Sequence, residues 1–185
     1  KQINAQMPFG VSGTVQVRVR TAAAVSAPAT VTVAATAPRL FTKTMDGKGE
    51  PILVHSADWS LVSAASPARP GEYVILFLTG LGAVSPAIPT GQAGGDNGQN
   101  GPLNQLPAGA VTVAFGGKQV AISFAGLAPG WVGLYQINFQ VPADMARGTF
   151  ALVVSTKDGS SQAGVLAGAE SAASSTVVLG GGVKM

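Results

Sequence analysis

The sequence predicts an all-β protein with many turns, and three observations support this fold class. Hydrophobic residues make up 46 % of the chain and charged residues only 10 %, which argues against global disorder. Valine, threonine, serine and alanine are abundant, helix-favouring glutamate and lysine are sparse, and there are 25 glycines and 12 prolines. Short segments that alternate apolar and polar residues recur between glycine and proline turns.

The 185 residues suit one large or two small domains, and their charge is small: 11 basic and 8 acidic groups give a net charge of +3. Arg18 and Arg20 have the spacing of two residues on the solvent face of one strand, where they would deter edge pairing. Nucleic-acid-binding proteins cluster basic residues, so we expect no such partner. The absence of cysteine excludes disulfides, thiolate zinc sites and a cysteine nucleophile.

No apolar run approaches the roughly 18 residues that cross a membrane, so we expect no membrane insertion. The sequence opens with Lys1 and has no signal peptide, which we interpret as a processed product or an excised piece of a longer chain.

The first two predicted strands lie near the start of the chain. Residues 2–8 stop at a proline, which cannot donate a ladder hydrogen bond, and their apolar positions are Ile3, Ala5 and Met7. Residues 14–20 alternate cleanly and predict a half-buried strand whose inward side chains are Val15, Val17 and Val19.

The later strands are separated by glycine and proline turns. Two prolines and a glycine at 66–71 mark a candidate domain boundary, and the apolar strand 72–79 that follows is expected to be buried on both faces. The polar, glycine-rich loop 83–109 is long enough to be either functional or mobile. The other predicted strands lie at 30–35, 51–55 with hairpin partner 59–62, 111–115 with partner 119–124, within 127–142, and at 149–154, 162–168 and 176–179.

Part of the strand within 127–142 repeats a sequence found at the start of the chain. Gln2-Ile3-Asn4 recurs as Gln136-Ile137-Asn138, 134 positions later. After one inserted residue the match resumes, and Val15, Val17 and Val19 fall beside Phe150, Leu152 and Val154. Self-similarity at a long period indicates tandem copies of one domain type. We predict a partial unit over 1–65 (the last strands of a repeat plus connecting strands), a complete unit over 66–170, and a terminal strand or tail over 171–185.

Five blocks of the sequence resemble one family, and they lie at 2–13, 33–42, 67–71, 78–86 and 127–142. The family is the uncharacterised C-terminal domain of Solibacter-type acidobacterial exported proteins. The resemblance implies an Ig-like β-sandwich of the Greek-key type, with long Gly/Pro-rich loops and little helix, on a secreted or cell-surface protein. The family has no established activity. Residues 171–185 extend beyond its usual end.

His55 is the only histidine and therefore the only candidate for a histidine base. Asp58, Ser56 and Ser60 lie close in sequence, but a hairpin implies neither a pocket nor an oxyanion donor. We therefore interpret His55 as a surface or edge residue and expect that the protein is not an enzyme.

Two polar turns, Asp46–Glu50 and Gly95–Asn100, bear a limited likeness to calcium loops. Calcium sites need several oxygen ligands, commonly from two or more carboxylates, and turn chemistry explains both segments. The glycine-rich run 91–101 precedes Pro102 rather than a helix, so it does not match a phosphate loop. We expect no metal and no cofactor.

Trp131 and Tyr135 form the candidate ligand platform. Four residues apart on one strand, they would share a face, and Gly133 between them would leave room for a sugar ring. The alternative, which is the more common role of such aromatics, is that both are core or corner residues of a sandwich.

These observations favour a non-enzymatic extracellular module with a structural or adhesive role, whose partner is another copy or a neighbouring domain. In a sharper form, the incomplete first unit, with Ile3, Ala5 and Met7, is completed by the strand Val177, Val178 and Leu179 of another copy. Such subunits would form a head-to-tail filament. The alternative is a module that binds carbohydrate or another surface polymer, and a hydrolase ranks last.

Overall fold

The computed structural model describes residues 3–170, and all helix-or-strand structure in that range is β-strand. None of these residues forms a helix, and hence none forms a helix long enough to cross a membrane. The strands are β1 (Gly13–Val17), β2 (Ala29–Val33), β3 (Arg39–Leu40), β4 (Leu53–His55), β5 (Tyr73–Thr79), β6 (Val111–Phe115), β7 (Lys118–Gln119), β8 (Ile122–Leu127), β9 (Tyr135–Gln140), β10 (Gly148–Thr156), β11 (Gly159–Ser160) and β12 (Leu166–Ala169).

The strands form two five-stranded antiparallel sheets and one separate pair. The first sheet has the order β11-β10-β6-β7, with β12 also on β10, and the second has the order β3-β5-β9-β8, with β4 also on β5. Among the described residues, strands β1 and β2 pair only with each other, and residues 13–33 are called the ribbon. The predicted all-β class is confirmed, and the arrangement is consistent with a β-sandwich.

The core draws its buried side chains from both sheets. Phe115 of the first sheet meets Phe139 of the second edge to face, with ring centroids 6.4 Å apart. Alternate residues of β5 and β9 are fully buried on the same side. On its other face β5 buries Ile75, but Phe77 is half-buried and Tyr73 is 48 % exposed, so the predicted burial of this strand on both faces is confirmed only in part.

The predicted strand 119–124 is two strands that belong to different sheets. The turn before it uses Gly116 and Gly117 with φ of +61° and +78°, as a two-glycine hairpin requires. Val120 N still donates to Val113 O in the first sheet, whereas Ala121 O already accepts from Gln140 N in the second. The chain therefore changes sheet between residues 120 and 121.

The predicted strand at 2–8 is wrong over residues 3–8, which form no strand. This segment lies on its own subunit, because Gln6 Oε1 accepts a hydrogen bond from Gly91 N at 2.8 Å. The Gln6 side chain also packs against Gly133, and Phe9 N donates to Thr90 Oγ1 at 3.0 Å. The predicted strand at 176–179 and the tail 171–185 lie outside the described residues.

The predicted boundary at residue 65 does not match a break in the sheets. Strands β3 and β4 both pair with β5, and Leu40, Leu53 and Val62 belong to the same buried cluster as the later strands. The segment that stands apart from the two sheets is therefore the ribbon rather than all of residues 1–65.

The long loop 83–109 is organised around the buried side chain of Asn104. Its Oδ1 accepts from Gly95 N at 2.7 Å, and its Nδ2 donates to Pro86 O at 2.6 Å. Asn104 thus ties the two halves of the loop together next to Gln105, which pairs with Ser85 on one side and with Gly126 of β8 on the other.

We predict that Asn104→Ala lowers the free energy of unfolding by about 2 kcal/mol, because it leaves the buried Gly95 N–H and the Pro86 carbonyl without their partner. Urea unfolding measures the loss. The exposed Asn100 of the same loop provides the control, since Asn100→Ala should change the value by less than about 1 kcal/mol. Equal losses in the two variants would contradict the assigned role.

Candidate functional site

Trp131 and Tyr135 do not form one platform, because Tyr135 is a core residue, as the alternative for this pair expects, whereas Trp131 is exposed. Tyr135 begins β9, is buried in the core, and donates its hydroxyl to Gly82 O. Burial raises the pKa of Tyr135 to about 12. Trp131 lies in the turn before β9 and is 65 % exposed. The strand periodicity that would place both on one face does not apply to a turn.

The backbone of Trp131 is fixed by the turn that precedes it. Gly130 has φ of +77°, and Trp131 N donates to Ala128 O at 3.1 Å. Trp131 O accepts from Gly94 N at 2.9 Å, which links this turn to the long loop. The indole is therefore presented to solvent from a constrained position.

Trp59 is a second exposed tryptophan that the sequence reasoning missed. It lies in the loop after β4, is 61 % exposed, and has φ of +62°, which bulky residues rarely adopt. Asp58 closes this loop, because its Oδ1 accepts from Ser60 Oγ at 2.7 Å and Ser60 N at 2.9 Å. The Ser60 hydroxyl, followed by its N–H, lowers the pKa of Asp58. The exposure of Trp59 and its left-handed backbone, which identify it as a candidate, are not displayed by the sequence.

Both tryptophans line one groove of about 510 Å³ on the outer face of the second sheet, called the tryptophan groove. Its floor consists of two cross-strand pairs of β5 and β9, Ile75 with Asn138 and Phe77 with Gln136. Gln136 is buried, and its Nε2 donates to Asn138 Oδ1 at 2.7 Å. The groove thus combines two exposed indoles with two amide side chains.

His55 is buried on β4, which pairs with β5 alone among the twelve strands of the described residues, so of the predicted surface or edge position the surface position is wrong. The hydrogen bonds of its ring are with Glu72 and Ser66, not with Asp58. Its Nδ1 lies 3.0 Å from Glu72 Oε1, and its Nε2 lies 3.2 Å from both Oγ and O of Ser66. Glu72 Oε1 also accepts from Arg69 N at 2.7 Å. These contacts tie the segment 63–72 to β4.

Ser66, His55 and Glu72 bring a hydroxyl, an imidazole and a carboxylate together in the order found in a Ser-His-acid catalytic triad. Two features favour a structural role. The carbonyl of Ser66 also faces Nε2, and the tryptophan groove does not reach Ser66. These three side chains, called the polar knot, join β4 to the segment 63–72 through hydrogen bonds.

The two turns that resemble calcium loops use their carboxylates within the turn. Asp46 Oδ1 accepts from Thr44 Oγ1 and Lys48 N, and these bonds lower the pKa of Asp46. Asp96 accepts from the backbone N–H groups of Asn100 and Gly98, which lower its pKa in the same way. Within residues 3–170, no group of three or more metal-ligating side chains is assembled.

The ribbon confirms the predicted strands at 14–20 and 30–35 in part. Of the three valines predicted to point inward, Val15 is half-buried, but Val17 and Val19 are 40 % and 43 % exposed, so the predicted half-burial is wrong for these two. On the partner strand Val31 is 38 % exposed. The opposite face is polar, where Gln16 Nε2 donates to Thr30 Oγ1 at 2.8 Å. The face that carries residues 15, 17, 19, 29, 31 and 33 is called the valine face.

The ribbon reproduces part of the first sheet residue by residue. Within the described residues its hydrogen bonds are all internal, and its backbone ladder and several of its other bonds recur 135 or 136 positions later in the first sheet. The pair Gly13↔Val33 recurs as Gly148↔Ala169, Val15↔Val31 as Phe150↔Ala167, and the bond from Val19 N to Ser26 Oγ (3.0 Å) as that from Val154 N to Ser161 Oγ (3.1 Å).

Comparison of the chain with models of protein families, with curated proteins and with solved structures found no match.

We predict that His55→Ala lowers the free energy of unfolding by about 2–3 kcal/mol, because Glu72 and the Ser66 segment lose a buried partner. Chemical denaturation followed by circular dichroism measures the change. Ser56, the nearest neighbour in the grouping predicted from sequence, is the control, and Ser56→Ala should alter stability by no more than about 0.5 kcal/mol. A neutral His55→Ala would show that the knot is dispensable.

Proposed function

We propose that the protein is a non-enzymatic structural or adhesive module of a secreted or cell-surface protein, built from Ig-like β-sandwich units of the Greek-key type. The observation that carries this proposal is the uncovered valine face of the ribbon. The sequence resemblance to the C-terminal domain of acidobacterial exported proteins supports the location and the Ig-like class, and it adds no chemistry.

The complete unit indicates what the valine face requires. Phe150 and Leu152, which correspond to Val15 and Val17, point into the core, and Leu152 is fully buried. An isolated two-stranded ribbon is marginally stable in water, because one face of it remains exposed. Completing the burial of each partly covered valine contributes roughly 1 kcal/mol. A covering partner therefore stabilises the ribbon substantially.

The partner that we propose is a second copy of this chain. Both edges of the ribbon are free of ladder partners within the described residues, so a further strand can add to either of them. The segment 176–179, Thr-Val-Val-Leu, supplies an apolar, β-favouring strand that would extend the valine face. Because donor and acceptor are different parts of the chain, the contact is head-to-tail and generates a filament unless it closes.

We predict that the purified protein forms oligomers or filaments at tens of micromolar and that Val31→Lys abolishes them, because a charge on the valine face opposes its burial. Light scattering after size exclusion, with electron microscopy, measures the assembly. Thr30→Lys is the matched control, since it adds the same charge to the neighbouring residue on the polar face. Deletion of 176–185 should also abolish assembly.

Two outcomes contradict the assembly proposal. A wild-type protein that stays monodisperse and monomeric at high concentration rules out the second copy as the partner. Filaments that survive the deletion of 176–185 rule out donation of that strand.

The non-enzymatic part of the proposal has its own test. We predict that hydrolysis of p-nitrophenyl acetate by the protein is no faster than by the Ser66→Ala variant, because Ser66 serves the knot around His55. Absorbance of the released nitrophenolate gives both rates. A rate that falls in both Ser66→Ala and His55→Ala would instead identify a hydrolase.

A further inference from the structure

We propose that the tryptophan groove is a binding site for a neutral polysaccharide chain. In this site Trp59 and Trp131 provide the stacking surfaces, and Gln136 and Asn138 provide hydrogen bonds from the floor. The inference is independent of assembly through the ribbon, because the groove lies on the second sheet and, within the described residues, the hydrogen bonds of the ribbon do not reach that sheet.

The exposure of both indoles is the first observation. A tryptophan offers one of the largest apolar surfaces of any side chain, and in a sandwich of this size it normally contributes to the core. Here Trp59 and Trp131 are more than half exposed, although the core of the same unit is filled by phenylalanine, leucine and valine. Two exposed indoles on one groove mark an interaction site rather than a packing site.

The backbone at Trp59 is the second observation. Its left-handed φ of +62° favours glycine or asparagine, and the turn is already closed by the bonds of Ser60 to Asp58. A tryptophan at this position therefore does not stabilise the turn itself. Strained positions of this kind concentrate at binding sites, where the presented side chain is what matters.

Both indoles are held by fixed backbones, which is the third observation. Trp59 N donates to His55 O at 2.9 Å, and Trp131 is bound on both sides, to Ala128 O and Gly94 N. A ligand that stacks on them orders little of the protein, so most of the contact energy remains available as affinity.

The lining identifies the class of ligand. None of the side chains that line the groove is charged, which does not suit a nucleic-acid backbone or an acidic polymer. A pyranose ring presents a flat C–H face and a rim of hydroxyls, and these match an indole and an amide respectively. The Gln136–Asn138 bond occupies one donor and one acceptor, so the two amides retain further groups for hydroxyls.

The shape of the groove favours a segment of a polymer. Its volume of about 510 Å³ is within the usual range of ligand sites, about 300–1,000 Å³. The indoles remain largely open to solvent, so a bound chain can continue past the groove at the surface instead of ending in a closed pocket.

The test uses the full chain and a panel of neutral hexasaccharides of β-1,4-glucan, β-1,3-glucan, β-1,4-mannan and β-1,4-xylan, with polygalacturonate and single-stranded DNA as charged probes. Tryptophan fluorescence and isothermal titration calorimetry report binding. We expect at least one neutral hexasaccharide to bind and to shift the tryptophan emission. Trp131→Ala and Trp59→Asn should each weaken that binding at least tenfold.

Val132→Ala is the matched control, because Val132 is exposed beside Trp131 but does not line the groove, and its affinity should stay within twofold of wild type. Circular dichroism and thermal unfolding show that the variants remain folded, since both indoles lie largely outside the core. Absence of binding by every neutral hexasaccharide at millimolar concentration overturns the proposal. So does binding that survives both tryptophan substitutions, or binding of the charged probes alone.

Discussion

The pairing of β5 with β9 is the interaction on which the rest of the structure depends. In this register, Val74, Leu76 and Leu78 lie opposite Phe139, Ile137 and Tyr135, and all six side chains enter the core. The same register places Ile75 beside Asn138 and Phe77 beside Gln136 on the outer face. Because strand side chains alternate, a slip of one residue would exchange the two sets. One ladder therefore determines both the core and the floor of the tryptophan groove.

Alternation in the sequence revealed strands far better than it revealed their surroundings. The valines of β1 were correctly assigned to one face, but a pattern of period two does not show whether another sheet covers that face. The same pattern at Ile3, Ala5 and Met7 produced no strand, because a strand also needs a ladder partner. Instead, Gln6, a polar residue of this segment, makes its contact with Gly91.

The candidate site was recovered only in part because its geometry depends on turns and on distant contacts. Trp131 was identified, but its assumed partner Tyr135 is buried by the strand that begins there. Trp59 becomes visible as a candidate only through its exposure and its left-handed backbone, neither of which the sequence displays. Likewise, His55 contacts Glu72, 17 residues away, rather than its neighbour Asp58.

Comparing the ribbon with β10 and β12 indicates how closely a surface that covers the ribbon would have to resemble the second sheet. The pair Val15 and Val31 replaces Phe150 and Ala167, and the two pairs have about the same total volume, so they would fill a similar space. The next inward pair differs: Val17 and Ala29 are smaller than Leu152 and Val165, which lie at the corresponding place. A surface that covers the ribbon must therefore project further at that point than the second sheet does. The smaller side chains therefore disfavour a covering surface that simply duplicates the contacts which the second sheet makes with β10 and β12.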